Sequence, residues 1–288
     1  MYGDGGCQGE LSSSPLTYMT APDLKTLLPQ VVELVLRAGR AIMEIYKQAD
    51  SGTTYKADDS PLTKADLASH HLLIQGLRRL TPAWPMLSEE SAAISYDERR
   101  NWDRYWLIDP LDGTKEFIKR RDEFTVNVAL IELGAPMLGV VHAPALDLTY
   151  AAARGLGATK QQGQQPATPI RVADYRKGGL KVVVSRSHAG PETEALLKTL
   201  GHKFGQTESI SVGSSLKLCL VADGTAHLYP RLGPTMEWDI AAAQCVVEEA
   251  GGTVTDLEGR PLRYNKPSLE NPSFIVCGAP PVPWKSAL

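Results

Sequence analysis

No CxxC pair, no long block of Lys or Arg and no uncharged apolar run of membrane-spanning length occurs in this 288-residue sequence. Each absence excludes a class of protein. The four cysteines, Cys7, Cys219, Cys245 and Cys277, lie too far apart for a zinc knuckle or a redox pair. Cys219 and Cys245 sit among apolar neighbours and read as small buried hydrophobes, so reduced thiols in the cytosol are expected. With a formal net charge of −3 and no basic block, nucleic-acid backbone and anionic membrane lack an electrostatic footprint. A small anion carrying its own metal ions remains open. The most apolar helical stretch, Val31 to Tyr46, is broken by Glu33, Arg37, Arg40 and Glu44, which excludes an integral membrane segment. No signal peptide is visible. A cytoplasmic protein is expected, with peripheral attachment to the inner membrane and the oligomeric state left open.

What is present describes a packed globule: 43% apolar and 22% charged residues over a length sufficient for one large or two ordinary domains. Residues 1–20 are Gly/Ser-rich at their start, lack apolar periodicity and read as a disordered tail. Leu27, Val31, Leu34, Val35, Ala38, Ile42, Ile45 and Tyr46 recur at helical spacing, giving an amphipathic helix interrupted near Pro29. Thr63-Lys64-Ala65-Asp66 opens a second helix with Thr63 as N-cap, and in that setting Asp66 reads as a capping carboxylate. His70 and His71 are adjacent, so they face different sides and do not form a metal pair.

The central stretch is Trp106-Leu107-Ile108-Asp109-Pro110-Leu111-Asp112-Gly113-Thr114, an apolar strand that ends in two carboxylates spaced rigidly by proline. Such oxygens suit hard divalent cations, and the N–H groups of a helix opening at Gly113 and Thr114 suit a phosphate. A strand end followed by an aspartate-rich turn accounts equally for the stretch taken alone. Strands over Phe124–Leu133, Met137–Ala143 and Leu148–Ala153 form an antiparallel meander. Gly155–Thr168, rich in Gly, Gln and Pro, reads as the least ordered internal stretch, with the domain junction shortly after it. Beyond it the order strand, polar turn, helix repeats: Leu180–Ser185 before a helix from Pro191, and Ile210 to Gly213-Ser214-Ser215 before another. His227–Pro230 is a further strand. A helix starts at Glu237-Trp238-Asp239 and stops at Gly251, with Asp239 favourably placed at its positive end. The fold class is therefore α/β, an α+β part over residues 21–175 followed by an α/β part over 176–288.

In this order and spacing, Thr63-Lys64-Ala65-Asp66, Ser88-Glu89-Glu90, Asp109-Pro110-Leu111-Asp112-Gly113-Thr114 and Trp238-Asp239 resemble the inositol monophosphatase superfamily of magnesium-dependent, lithium-sensitive phosphatases. The resemblance spans about residues 23–278 and implies a layered αβαβα sandwich. Leu111 to Phe117, Val184 to His188, Gly213 to Lys217 and Tyr229-Pro230-Arg231 are similar to its 3′(2′),5′-bisphosphate nucleotidase branch, and Lys115-Glu116 stand where inositol phosphatases carry Thr-Asn. Carried over residue by residue, the resemblance implies that Glu89, Asp109, the Leu111 carbonyl, Asp112 and Asp239 hold two or three Mg²⁺ ions. It implies that Asp66 and Thr114 orient the attacking water, with Glu89 also part of the catalytic set. Gly113, Thr114, Ser185, His188, Gly213, Lys217 and Arg231 would contact a nucleotide bisphosphate, Lys217 meeting the second phosphate. The implied reaction converts adenosine 3′,5′-bisphosphate to AMP and phosphate in sulfur assimilation, with the sulfated nucleotide as a second candidate substrate. Inositol or fructose phosphate hydrolysis on the same scaffold, and non-catalytic nucleotide sensing, are the competing expectations.

Overall fold

The structure is a computed structural model that describes residues 23–48, 52–55, 61–177, 179–185, 190–205 and 207–287. The expected tail over residues 1–20, Cys7 and His188 lie outside the described residues. In chain order the elements are α1 (Leu24–Tyr46), β1 (Thr54–Tyr55), β2 (Pro61–Leu62), α2 (Lys64–Leu80), β3 (Met86–Ser88), α3 (Tyr96–Arg99), β4 (Arg104–Asp112), α4 (Thr114–Ile118), β5 (Thr125–Glu132), β6 (Ala135–Ala143), β7 (Leu148–Ala153), β8 (Gly157–Gln162) and β9 (Thr168–Ile170). They continue with β10 (Leu180–Ser185), α5 (Pro191–Phe204), β11 (Thr207–Val212), α6 (Leu216–Ala222), β12 (Leu228–Arg231), α7 (Glu237–Glu249), β13 (Thr253–Asp256) and β14 (Phe274–Cys277).

Two large sheets follow from this order, beside the short antiparallel β1–β2 pair. One is seven-stranded, β3-β4-β5-β6-β7-β8-β9, antiparallel except for the parallel β3–β4 pair. The other is five-stranded, β11-β10-β12-β14-β13, and mixes parallel and antiparallel pairs. The side-chain alternation of the strands shows why both sheets are covered on both faces. On β4, Trp106 and Ile108 join the core formed with α1 and α2, whereas Tyr105 and Leu107 join the core formed with α6 and α7. On β14, Phe274 and Val276 face that second core, and Ile275 and Cys277 face a third with Leu196 and Leu200 of α5. The layers therefore run helices, sheet, helices, sheet, helix, which is the αβαβα sandwich expected. Cys219, Cys245 and Cys277 are free and buried, as small hydrophobes would be.

Two local expectations are corrected. Helix α1 passes through Pro29 without interruption. The carbonyl left unpaired by the missing N–H belongs to Lys25 on the exposed first turn, so water satisfies it, and burial of Leu27, Val31 and Leu34 outweighs the loss. The stretch 155–168 is not irregular, because it forms β8 and the start of β9. Its polarity reflects the exposed end of a sheet rather than disorder. Gly155 and Gly157, both at φ 78°, turn the chain between β7 and β8, and Glu249 of α7 accepts both of their N–H groups at 3.0 Å.

Helix α7 packs directly on the first sheet because Gly139 of β6 has no side chain. A Cβ there would stand 2.2 Å from the Ala242 carbonyl oxygen and 2.9 Å from Cys245 Cβ. Gly139→Ala should therefore push α7 outward at a cost of about 1–3 kcal/mol. At about 2–4 °C per kcal/mol for a protein of this size, thermal denaturation should show a loss of roughly 2–12 °C. An unchanged unfolding temperature would mean the helix yields without strain.

Candidate active site

Helix α7 matters because its first turn carries Asp239 to the edge of β4. A cavity of about 470 Å³ opens there, lined from the first half of the chain by Glu89, Asp109, Leu111, Asp112, Gly113 and Thr114. Ser185, Gly213, Lys217, Arg231 and Asp239 line it from the second half. The residues singled out in the sequence therefore converge from β3, β4, β10, β12, α6 and α7. Asp66 stands behind Thr114, and His188 lies outside the described residues.

Backbone irregularity aims the two β4 carboxylates. Asp109 pairs with Asn127 and Asp112 with Thr125, so β4 has one residue more than β5 between them, and the bulge turns both carboxylates toward the cavity. Asp109 Oδ1 accepts the Leu111 N–H at 3.0 Å, and Ser69 of α2 donates to the Pro110 carbonyl at 2.8 Å. Gly113, at φ 91°, then reverses the chain into α4 in a conformation that suits glycine.

Helix α2 braces this turn. The Thr63–Asp66 capping box is present: Asp66 Oδ2 accepts the Thr63 N–H at 2.8 Å and its hydroxyl at 2.5 Å. The same carboxylate also accepts the Thr114 hydroxyl on Oδ1 at 3.3 Å, so one residue both caps its helix and reaches the cavity wall. Burial raises the Asp66 carboxyl to about 6 against the Thr63 hydrogen bonds, with the Glu90 charge adding to the rise. His70 Nδ1 is 2.9 Å from the Ser88 hydroxyl, next to Glu89, and so supports the wall without entering it.

The electrostatics of the carboxylates point to a missing positive charge. Burial, then the charges of Glu89, Asp112, Asp239 and Asp66, push Asp109 well above the ordinary carboxylate range. Asp239 is raised in the same way by burial and Asp112, against the Met236 N–H that it accepts at 2.8 Å. Burial raises Asp112 too, although Lys217 and the Ser215 N–H oppose it. Burying several like charges together is costly unless a cation compensates. The donors are all oxygens, which fits Mg²⁺ rather than a thiolate- or imidazole-seeking metal. Among the described residues no three acidic, His or Cys side chains are grouped closely enough to enclose one ion.

Arg231, one of the residues expected at the nucleotide, is buried in the wall, and its Nη2 donates to the Pro234 carbonyl at 2.7 Å. Reading the sequence missed several other wall residues. Lys115, Glu116, Tyr229, Thr235 and Glu270 also line the cavity. Ser215 contributes through its N–H, which donates to Asp112 Oδ2 at 2.6 Å. The one available signal was Gly213-Ser214-Ser215 at a strand end, where open N–H groups gather.

The inositol monophosphatase family profile matches residues 23–281. The 3′(2′),5′-bisphosphate nucleotidase CysQ of Escherichia coli O157:H7 is 49% identical over 252 residues, covering 87% of this chain and 99% of that protein. Its counterpart from Haemophilus influenzae is 38% identical over 262 residues, or 90% of this chain and 96% of that one. Among solved structures, CysQ from Bacteroides thetaiotaomicron, described as a bacterial member of the inositol monophosphatase family, superposes with a TM-score of 0.80 at 41% identity, covering 88% of this chain and 98% of that one. The inositol monophosphatase of Anabaena gives 0.71 at 27% identity, over 92% and 95%. Cavity, layer order and similarity over almost the whole described chain agree that this protein belongs to the inositol monophosphatase family.

Proposed function

We propose that this protein is a Mg²⁺-dependent phosphatase that hydrolyses the 3′-phosphate of adenosine 3′,5′-bisphosphate to AMP and inorganic phosphate. The observation that carries the reading is one cavity with two chemistries on its walls. Glu89, Asp109, Asp112 and Asp239 line it together with the cations Lys217 and Arg231, whose charges act on Asp112 and Asp239 respectively. A monophosphate needs only the first group; a second phosphate gives the cations a partner. The bisphosphate nucleotidase relatives support the same substrate class.

Glu89, Asp109, the Leu111 carbonyl, Asp112 and Asp239 would hold the ions. Bound there, Mg²⁺ supplies Lewis-acid stabilisation of phosphoryl charge and acidifies water. The remaining work falls to the chain. Gly113 and Thr114 offer main-chain N–H groups to the scissile phosphate, while Ser185 and Gly213 contact the nucleotide. Thr114 Oγ1 and Asp66 Oδ1, 3.3 Å apart, orient the attacking water. As its oxygen bonds to phosphorus and the bond to the 3′-oxygen breaks, Asp66 accepts the water proton and the departing 3′-oxygen takes a proton from solvent to become the hydroxyl of AMP. A carboxyl at about 6 is ionised at neutral pH yet basic enough to take it.

Asp66→Asn should therefore lower kcat by about 10²–10⁴-fold. The acid limb of the kcat/KM profile, set in the wild type by protonation of Asp66, should vanish from the residual rate. A variant that keeps the wild-type limb would assign the base to another group. The substrate itself is tested by Mg²⁺-dependent phosphate release from adenosine 3′,5′-bisphosphate, the sulfated nucleotide, inositol 1-phosphate and fructose 1,6-bisphosphate. The adenosine bisphosphate should be the best of the four, and faster turnover of inositol phosphate would overturn the assignment. Among the described residues no helix is long and apolar enough to cross a membrane, so a water-borne substrate is the natural choice for the assay.

A further inference from the structure

Ser215 departs from the usual behaviour of a serine at the start of a helix. It occupies the N-cap of α6, where a hydroxyl ordinarily accepts an N–H of its own first turn. Here the side chain caps nothing. It crosses the seam between the halves instead, donating to Asn127 Oδ1 at 2.7 Å and lying 2.8 Å from Thr125 Oγ1. With the Ser215 proton given to Asn127, Thr125 is the donor of the second bond. All three residues are at most 2% exposed.

The partners on β5 are the cross-strand neighbours of the metal-site aspartates, Thr125 opposite Asp112 and Asn127 opposite Asp109. The main-chain N–H of Ser215 grips Asp112 Oδ2 at 2.6 Å. Two residues on, Lys217 lies close enough for its charge to act on Asp112 and stands beside the Tyr229 ring, 6.0 Å from its centroid. One residue thus links a carboxylate of the cavity to the cation beside it. The arrangement is not the most stable one available, because Asn127 Nδ2 is buried with no hydrogen-bond partner among the described residues. An apolar residue of similar shape would avoid that loss. A polar group kept at such a cost is better explained by what it positions than by what it stabilises.

We infer that Ser215, held by Thr125 and Asn127, is a positioning residue that fixes Lys217 relative to Asp112, and thereby sets the preference for a nucleotide with a second phosphate over one without. The inference rests on the nucleotide reading proposed above. It concerns specificity, since Ser215→Ala keeps the main-chain N–H that Asp112 accepts and removes what the hydroxyl supplies: the bonds to Asn127 and Thr125 and the lesser part it plays in lowering Asp112.

The test compares kcat/KM for adenosine 3′,5′-bisphosphate and adenosine 3′-phosphate in the wild type, Ser215→Ala and Thr125→Val. Calorimetric titration with AMP and with adenosine in the presence of Mg²⁺ supplies a readout independent of turnover. In Ser215→Ala the ratio of the two kcat/KM values should fall by about tenfold, the size of one or two lost hydrogen bonds. AMP binding should weaken by a similar factor while adenosine binding holds. Thr125→Val, which leaves the Ser215–Asn127 bond in place, should fall part of the way and serves alone should Ser215→Ala not fold. Equal losses on both nucleotides would make Ser215 merely structural and overturn the inference. A wild type with no bisphosphate preference would overturn the nucleotide reading and this inference with it. A wild-type preference that both variants retain would overturn this inference alone.

Discussion

Asp109→Asn should cut kcat by about 10³-fold while making the metal-free protein more resistant to heat. The two effects have one cause. Asp109 is 1% exposed and feels Glu89, Asp112, Asp239 and Asp66, so its negative charge is costly in the absence of a cation. Asparagine removes the charge but keeps an oxygen for the Leu111 N–H, now accepted at 3.0 Å by Oδ1, so the bulge between Asp109 and Asp112 keeps its hydrogen bond. Losing a charged ligand forfeits part of the several kcal/mol that a metal contributes to phosphoryl transfer. About 4 kcal/mol corresponds to the stated rate loss. Each kcal/mol of relieved repulsion should raise the unfolding temperature by about 2–4 °C. The measurement is thermal denaturation in EDTA beside steady-state kinetics in Mg²⁺. A variant that loses activity and also melts earlier without metal would show that Asp109 supports the fold, and the carboxylate cluster would then not be a site waiting for a cation.

Such a trade of stability for function was only partly legible in the sequence. Local signals were readable: the Thr63–Asp66 box, the turns around the meander, and the glycine stop after α7 act within a few residues. What failed was what depends on distant partners. Asp66 alone reads as a cap, and only Thr114, 48 positions away, reveals its second role. Asn127 and Thr125 sit inside an apolar strand, where a polar residue looks incidental until Ser215 of the other half meets them. The Gln-rich β8 was misread for a related reason: a strand near the end of a sheet has one wet face and a loop's composition. Residue types announced the chemistry, but the pairing of the halves decided which residues could take part.

That pairing brings enough negative charge together to make metal-free stability depend on pH, and the sign can be worked out. A carboxyl with a higher pKa in the folded than in the unfolded protein holds extra protons in the native state, so stability falls as pH climbs through the interval. Asp66 acts from 3.8 to about 6, and Asp109, Asp112 and Asp239 are likewise raised, Asp109 and Asp239 well above 3.8. His70, His142 and His227 oppose them. Burial lowers all three, His142 to about 4, so the unfolded chain holds the extra protons and stability grows as pH rises toward 6.5. The imidazole contribution is complete only about one pH unit above 6.5, and beyond that the carboxylates act without it. Above pH 8 the lowered Lys217 and the raised thiols of Cys219, Cys245 and Cys277 begin to mix in, with opposite signs. As pH climbs past the ordinary carboxylate range, then, protein in EDTA should lose stability at about 1.4 kcal/mol per pH unit for each proton the native state retains beyond the unfolded chain. That is a drop of roughly 3–6 °C per pH unit in the unfolding temperature. Mg²⁺ at 100 times its Kd should add about 2.7 kcal/mol. Because the ions compete with protons for the same oxygens, the gain should be larger at pH 8 than at 6.5 and the slope should flatten. The double variant Asp109→Asn/Asp239→Asn should flatten it without metal. A level EDTA curve, or one whose slope Mg²⁺ leaves untouched, would remove these carboxylates as the common seat of metal binding and acid sensitivity.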